Sequence, residues 1–120
     1  NGKCELMSKY SPNTNCDKKC IFQTIKISTN EGSNYELAPG RGDYTASGAI
    51  EWKILPILGF CPDGEDVPVL IKVVKKIPGT VLGEEILALS KGETSKIITH
   101  PDLPLVKFTL TIKDVNLKCN

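Results

Sequence analysis

Leu105-Val106-Lys107-Phe108-Thr109-Leu110-Thr111-Ile112 is the stretch on which the fold turns. Val106, Phe108, Leu110 and Ile112 alternate with Lys107, Thr109, Thr111 and Lys113. Successive side chains of a strand point to opposite faces, so this pattern predicts a half-buried β-strand with a wet outer face. A helix would scatter the four apolar residues around its circumference. The β-branched and aromatic content agrees with a strand. A one-residue slip would turn the whole apolar set into water, which makes the register firm. The apolar face then needs a second layer to cover it.

Outward from that strand, Glu93 to Thr99 predicts another, and Pro101 to Pro104 a connection between the two. After Lys113-Asp114 the apolar parity passes to Val115 and Leu117, so a bulge or turn is expected there. Thr80 to Ser90 fits either a short helix or a strand, and the context favours a strand. Val67 to Lys75 is apolar on both faces, as suits a centre strand. Tyr44 to Leu55 is the longest candidate, with Ile50, Trp52 and Ile54 on one face and Pro56 to end the pairing. Ala38 to Asp43 reads as a loop. Ile21 to Thr29 reads as a strand with Ile21, Gln23, Ile25 and Ile27 on one face. Tyr35 to Leu37 and Cys4 to Met7 are short strand candidates. Seven or eight short antiparallel strands separated by turns predict an all-β, immunoglobulin-like β-sandwich, with residues 1–120 forming a single domain.

Lys and Arg number 15 and Asp and Glu 14, a formal net charge of +1. No basic face stands out, which argues against nucleic acid as a partner. The longest apolar run, Ile54 to Phe60, is broken by Pro56 and Gly59, so stable membrane insertion is not expected. The chain starts at Asn1 and its only methionine is Met7, as in a mature protein whose signal peptide has been removed. Five cysteines in so short a chain favour an oxidising compartment, and hence a secreted, extracellular protein.

Catalytic chemistry has little to build on. There is one histidine, no Gly-x-Ser-x-Gly and no phosphate loop, so no enzyme and no cofactor are expected. His100 reads as a surface loop residue. Glu84 and Glu85 are adjacent and would point to opposite faces of a strand, which prevents their cooperation. Cys16 and Cys20 with a single histidine do not make a zinc pattern, so no metal is expected. Arg41-Gly42-Asp43 resembles the signature by which integrins, or other cell-surface proteins, bind adhesion proteins and secreted anti-adhesive inhibitors. Its use needs the guanidinium and carboxylate held apart on an exposed turn, and Pro39, Gly40 and Gly42 favour such a turn. A Gly-rich turn with ordinary charges is the alternative.

The cysteines are Cys4, Cys16, Cys20, Cys61 and Cys119. Chain ends often lie near each other in a compact domain, so Cys4 is expected to pair with Cys119, and Cys16 with Cys20 across a local loop. Cys61 is then left over, as a buried thiol or a link to another chain.

This layout, first with last and second with third, resembles the ML lipid-recognition family. Three further stretches are similar. They are Gly48 to Phe60, a strand running into Pro56 and Phe60; Leu89 to Glu93, a Lys-Gly turn before a strand; and Pro101 to Asp114, a penultimate strand before the last cysteine. Where that family has a mid-chain disulfide, this chain has only Cys61. The resemblance implies a secreted, non-enzymatic β-sandwich that carries a lipid or other small hydrophobic ligand between its sheets. The lining would be Ile50, Trp52, Ile54, Phe60, Val69, Ile71, Val73, Phe108 and Leu110. An ordinary filled core, in a domain that binds only proteins, is the alternative for the same residues.

Overall fold

The structure is a computed structural model, and it describes residues 19–57, 59–61 and 67–119. The predicted strand at Cys4 to Met7 lies outside them. The described residues form nine strands and no helix. In chain order they are β1 (Cys20–Thr29), β2 (Asn34–Leu37), β3 (Gly42–Tyr44), β4 (Ile50–Ile54), β5 (Val69–Ile77), β6 (Thr80–Leu89), β7 (Ile98–Thr99), β8 (Lys107–Phe108) and β9 (Leu110–Cys119). All pairings are antiparallel. One sheet has the order β2-β1-β9, a second β3-β4-β5-β6, and β7 and β8 form a short ribbon. This is an all-β sandwich.

The alternation at 106–113 is present as read. Phe108, Leu110 and Ile112 are buried and Val106 is half-buried, while Lys107 and Lys113 are exposed. The segment serves two partners. Phe108 lies opposite Ile98 on β7, whereas Leu110 lies opposite Thr29 on β1. Asn30 bridges the break. Its Nδ2 donates to the Lys107 carbonyl at 2.7 Å, and its Oδ1 accepts the Thr109 N–H at 3.1 Å. The parity change after Lys113 is a bulge: Ile27 pairs with Ile112 and Lys26 with Asp114, so Lys113 has no opposite number.

Four expectations are corrected. Along β1 the inward residues are Cys20, Phe22, Ile25 and Ile27, and Ile21 is exposed. The cause is a register shift between Phe22 and Thr24, which exchanges the faces of everything before it. Tyr44 to Leu55 is a hairpin, not one strand. The Thr45 N–H donates to the Ile50 carbonyl at 2.9 Å and the Gly48 N–H to the Thr45 carbonyl at 2.8 Å, with Gly48 at φ +74°. Only glycine adopts that angle without strain. Ala38 to Asp43 is only partly loop, because β3 begins at Gly42. Glu93 to Thr99 contributes the two-residue β7 and a single bridge, Thr94 to Thr111. Thr80 to Ser90 is a strand as expected. Ile77 and Thr80 pair across Pro78-Gly79, a two-residue turn with Gly79 at φ +77° that suits a type II turn.

One apolar cluster fills the space between the sheets. Sheet one contributes Phe22, Ile25, Ile27, Leu110 and Ile112, and sheet two Ile50, Trp52, Ile54, Val69, Ile71 and Val73. Tyr35 on β2 meets Trp52 on β4 edge-on, with centroids 5.1 Å apart and planes at 78°. Phe22 meets Phe60 at 5.2 Å.

Cys20 and Cys119 are opposite each other on β1 and β9 and form a disulfide with Cα atoms 4.0 Å apart. This overturns both expected pairings, Cys4 with Cys119 and Cys16 with Cys20. The antiparallel register of β1 and β9, not the proximity of the chain ends, chooses the partner. Cys61 is disulfide-bonded as well, with its other half outside the described residues, so it is not left over. The cysteine pattern that carried the family resemblance is therefore not the pairing this chain uses.

Candidate functional site

The nine residues expected to line a ligand space all lie in the interior. Ile50, Trp52, Ile54, Phe60, Val69, Ile71, Val73, Phe108 and Leu110 are each between 0% and 2% exposed. A side chain lining a ligand-sized void would expose surface to it. These side chains expose almost none, so they pack on one another.

Towards β6 the inner face turns polar. Val73 on β5 lies between Trp52 on β4 and Glu85 on β6, and β6 is an edge strand. Glu85 therefore points inward, and Glu84 outward, where it meets Lys72 at 3.6 Å. Lys96 Nζ reaches Glu85 Oε2 at 2.8 Å and Lys75 Nζ reaches Oε1 at 3.8 Å. An inward carboxylate on an edge strand opposes pairing with a stray strand.

Arg41-Gly42-Asp43 does not sit on an exposed turn tip. The Arg41 carbonyl accepts the Ile54 N–H at 2.8 Å, and Gly42 and Asp43 pair with Lys53 and Trp52. Gly42 is needed for close approach rather than for flexibility. A Cβ there would fall on the Trp52 carbonyl oxygen and within 2.6 Å of the Lys53 Cα. Asp43 is half-buried, and its Oδ1 accepts the Tyr44 N–H at 2.8 Å. Burial, and next a hydrogen bond to Asp43, hold the Tyr35 phenol above the usual tyrosine range. The groove alongside the triplet measures about 150 Å³.

A larger cleft lies at one end of the four-stranded sheet. It measures about 580 Å³ and is lined by Ser47, Gly48 and Ala49 from the β3–β4 turn, Lys76 to Val81 from the β5–β6 hairpin, and Leu103. Ala49, Ile77, Val81 and Leu103 make apolar walls. Val81 and Leu103 are 58% and 39% exposed. The hairpin tip carries Pro78 and Gly79, so it presents backbone and little side chain to the cleft. At the rim Lys76 Nζ meets Glu51 Oε1 at 2.8 Å and lies 4.8 Å from the Tyr44 ring centre. The hydrogen bond to Glu51 raises the lysine, and the same bond holds the Glu51 carboxyl below its ordinary value.

His100 lies behind this cleft and is only 3% exposed, which corrects its reading as a surface residue. Its Nε2 is 2.8 Å from the Lys76 carbonyl, and its Nδ1 is 3.1 Å from the Asp102 N–H. The cleft residues were missed in the sequence because they come from the ends of two hairpins and from the turn at 100–103, and no periodicity links these separate segments. Among the described residues no group of three or more His, Cys, Asp or Glu is placed to hold a metal ion, and no helix is long and apolar enough to cross a membrane. No protein-family model, curated protein or solved structure matches the chain.

Proposed function

We propose that this chain is a non-enzymatic, extracellular binding domain that takes a small hydrophobic molecule into the cleft at the β5–β6 end of the sandwich. The observation that carries the proposal is the convergence of Ala49, Ile77, Val81 and Leu103 around about 580 Å³. That volume lies within the range of about 300–1,000 Å³ usual for small-molecule sites. Val81 and Leu103 otherwise hold apolar surface in water, and a ligand that covers them gains roughly 25 cal/mol for each Å² removed. The polar groups, Ser47, Lys76 and Thr80, stand among apolar ones, as suits a ligand with one polar end. A disulfide between β1 and β9 supports the extracellular part of the proposal.

The ligand location differs from the one the sequence suggested. A molecule between the central strands would have to displace a packed core, whereas the end cleft is open without rearrangement. Titration with N-phenyl-1-naphthylamine, followed by its fluorescence, tests the proposal. Saturable binding is expected, weakened about tenfold by Leu103→Glu or Val81→Glu with the melting temperature nearly unchanged, since both residues are surface-exposed. Absence of saturable binding would defeat it, as would binding by both variants as tight as the parent's.

A further inference from the structure

We infer that His100 is a pH-sensitive latch on the end cleft, holding its Leu103 wall in place at neutral pH and releasing it in acid. The inference rests on the cleft being the ligand site, as proposed above, but its structural half stands without any ligand.

The two hydrogen bonds of the ring fix its protonation state. The Lys76 carbonyl can only accept, so Nε2 carries the proton and donates. The Asp102 N–H can only donate, so Nδ1 is a bare acceptor. Both contacts are made together only by the neutral Nε2–H tautomer. A second proton on Nδ1 removes the acceptor from the Asp102 N–H and sets two donors against each other, in a ring that is 3% exposed.

The same ring joins two walls of the cleft. The Lys76 N–H donates to the Ala49 carbonyl at 2.9 Å, and the Lys76 carbonyl accepts from His100. The His100 carbonyl accepts the Leu103 N–H at 3.3 Å, and the Leu103 carbonyl accepts the Val106 N–H at 3.0 Å. Ala49, Lys76 and Leu103 all line the cleft. Loosening the turn at 100–103 therefore moves a wall and leaves the β4–β5–β6 hairpins in place.

Charged groups on the surrounding elements do little to hold an imidazolium. Lys75 and Lys76 on β5 are cations turned to Glu85 and Glu51. Lys107 on β8, whose neighbour across the ribbon is Thr99, is a third cation. Glu85 on β6 is occupied by Lys75 and Lys96, and Glu51 on β4 by Lys76. Asp102, in the same turn as the ring, offers the ring its N–H and is an exposed residue.

His100 is the only histidine, so ring-nitrogen NMR is free of overlap. In the ligand-free protein the ¹⁵N shifts are expected to report the Nε2–H tautomer at about pH 7.5. The Leu103 methyl signals should then move with ring protonation as the pH is lowered to about 5. His100→Gln keeps an N–H donor for Lys76 and does not titrate, so its Leu103 signals should stay still. Affinity for N-phenyl-1-naphthylamine, uncharged across this interval, should fall about tenfold in the parent, in the range of ordinary coupling energies, and less than twofold in the variant. An Nδ1–H tautomer at neutral pH would overturn the latch, and so would ring protonation that leaves Leu103 unmoved, as when the Asp102 carboxylate captures the new N–H. Should His100→Gln not fold, the parent spectra alone decide. Failure of the probe to bind, with the NMR result intact, would count against the ligand site and not against the latch.

Discussion

Removing the Cys20–Cys119 disulfide should cost this domain a large part of its stability. The bond joins residues separated by 99 positions, so in the unfolded chain it closes a loop of nearly the whole described sequence. The chain-entropy relation gives roughly 4.7 kcal/mol for a loop of about 100 residues. Domains are stable by about 5–15 kcal/mol, so the double variant Cys20→Ala/Cys119→Ala should stand close to its unfolding threshold. The Cys61 disulfide persists in that variant and still restrains the unfolded chain, so the figure is an upper estimate. Native contacts at the site change little, because β1 and β9 remain paired through the rest of their register. Urea unfolding followed by circular dichroism measures the loss. With a slope of about 1–3 kcal/mol per molar, the midpoint should fall by about 1.5–4.7 M. Non-reducing peptide mapping of the parent should recover the two cysteine peptides linked. A Cys4–Cys119 linkage would refute the assignment, and a loss below about 1 kcal/mol with the linkage confirmed would refute the loop-entropy reasoning.

Val73→Trp, at a fully buried position of the centre strand, should overpack the core and lower stability by about 1–3 kcal/mol or more; an unchanged melting temperature would mean that there is room between the sheets. Gly42→Ala should destabilise because its Cβ meets the Trp52 carbonyl, while Gly83→Ala, with nothing within 4 Å, should be neutral or stabilise by about 0.4–1 kcal/mol; thermal melts that rank the pair the other way would contradict the β3–β4 packing. The Glu51–Lys76 pair gives a pH window with a definite sign. Glu51 is lowered on folding, chiefly by its hydrogen bond to Lys76, so its contribution is full above the unfolded value of about 4.3 and is lost as the pH falls through the folded one. Lys76 is raised by the same bond, so its contribution is full below about 10.4 and is lost as the pH rises through the folded value. Glu51→Gln should therefore flatten the acid limb of stability against pH, by a small amount because the pair is partly solvated, and an acid limb as steep as the parent's would show that the pair does not contribute.

The all-β class was legible because strand alternation is a local property. Phe108, Leu110 and Ile112 are inward for the reason visible in the sequence, and β5 is apolar on both faces and lies inside its sheet. Even the Lys113 bulge shows as a change of parity. What stayed hidden depends on segments that meet only after folding. The shift at Phe22–Thr24 is set by β9, whose pairing residues lie some ninety positions away, so it reverses Ile21 and Phe22 without a local signal. The partner of Cys119 is chosen by the same register. Gly42 reads as a turn breaker, yet its lack of a Cβ matters because the Trp52 carbonyl comes against it. His100 lies between a polar residue and a proline, and only the arrival of the Lys76 carbonyl makes it a buried, two-sided hydrogen-bonding group. The cleft is the extreme case, since its walls are strand-end and turn residues that become neighbours by topology alone. Periodicity records which face of a strand avoids water, and it is silent about which other strand, turn or ring will cover that face.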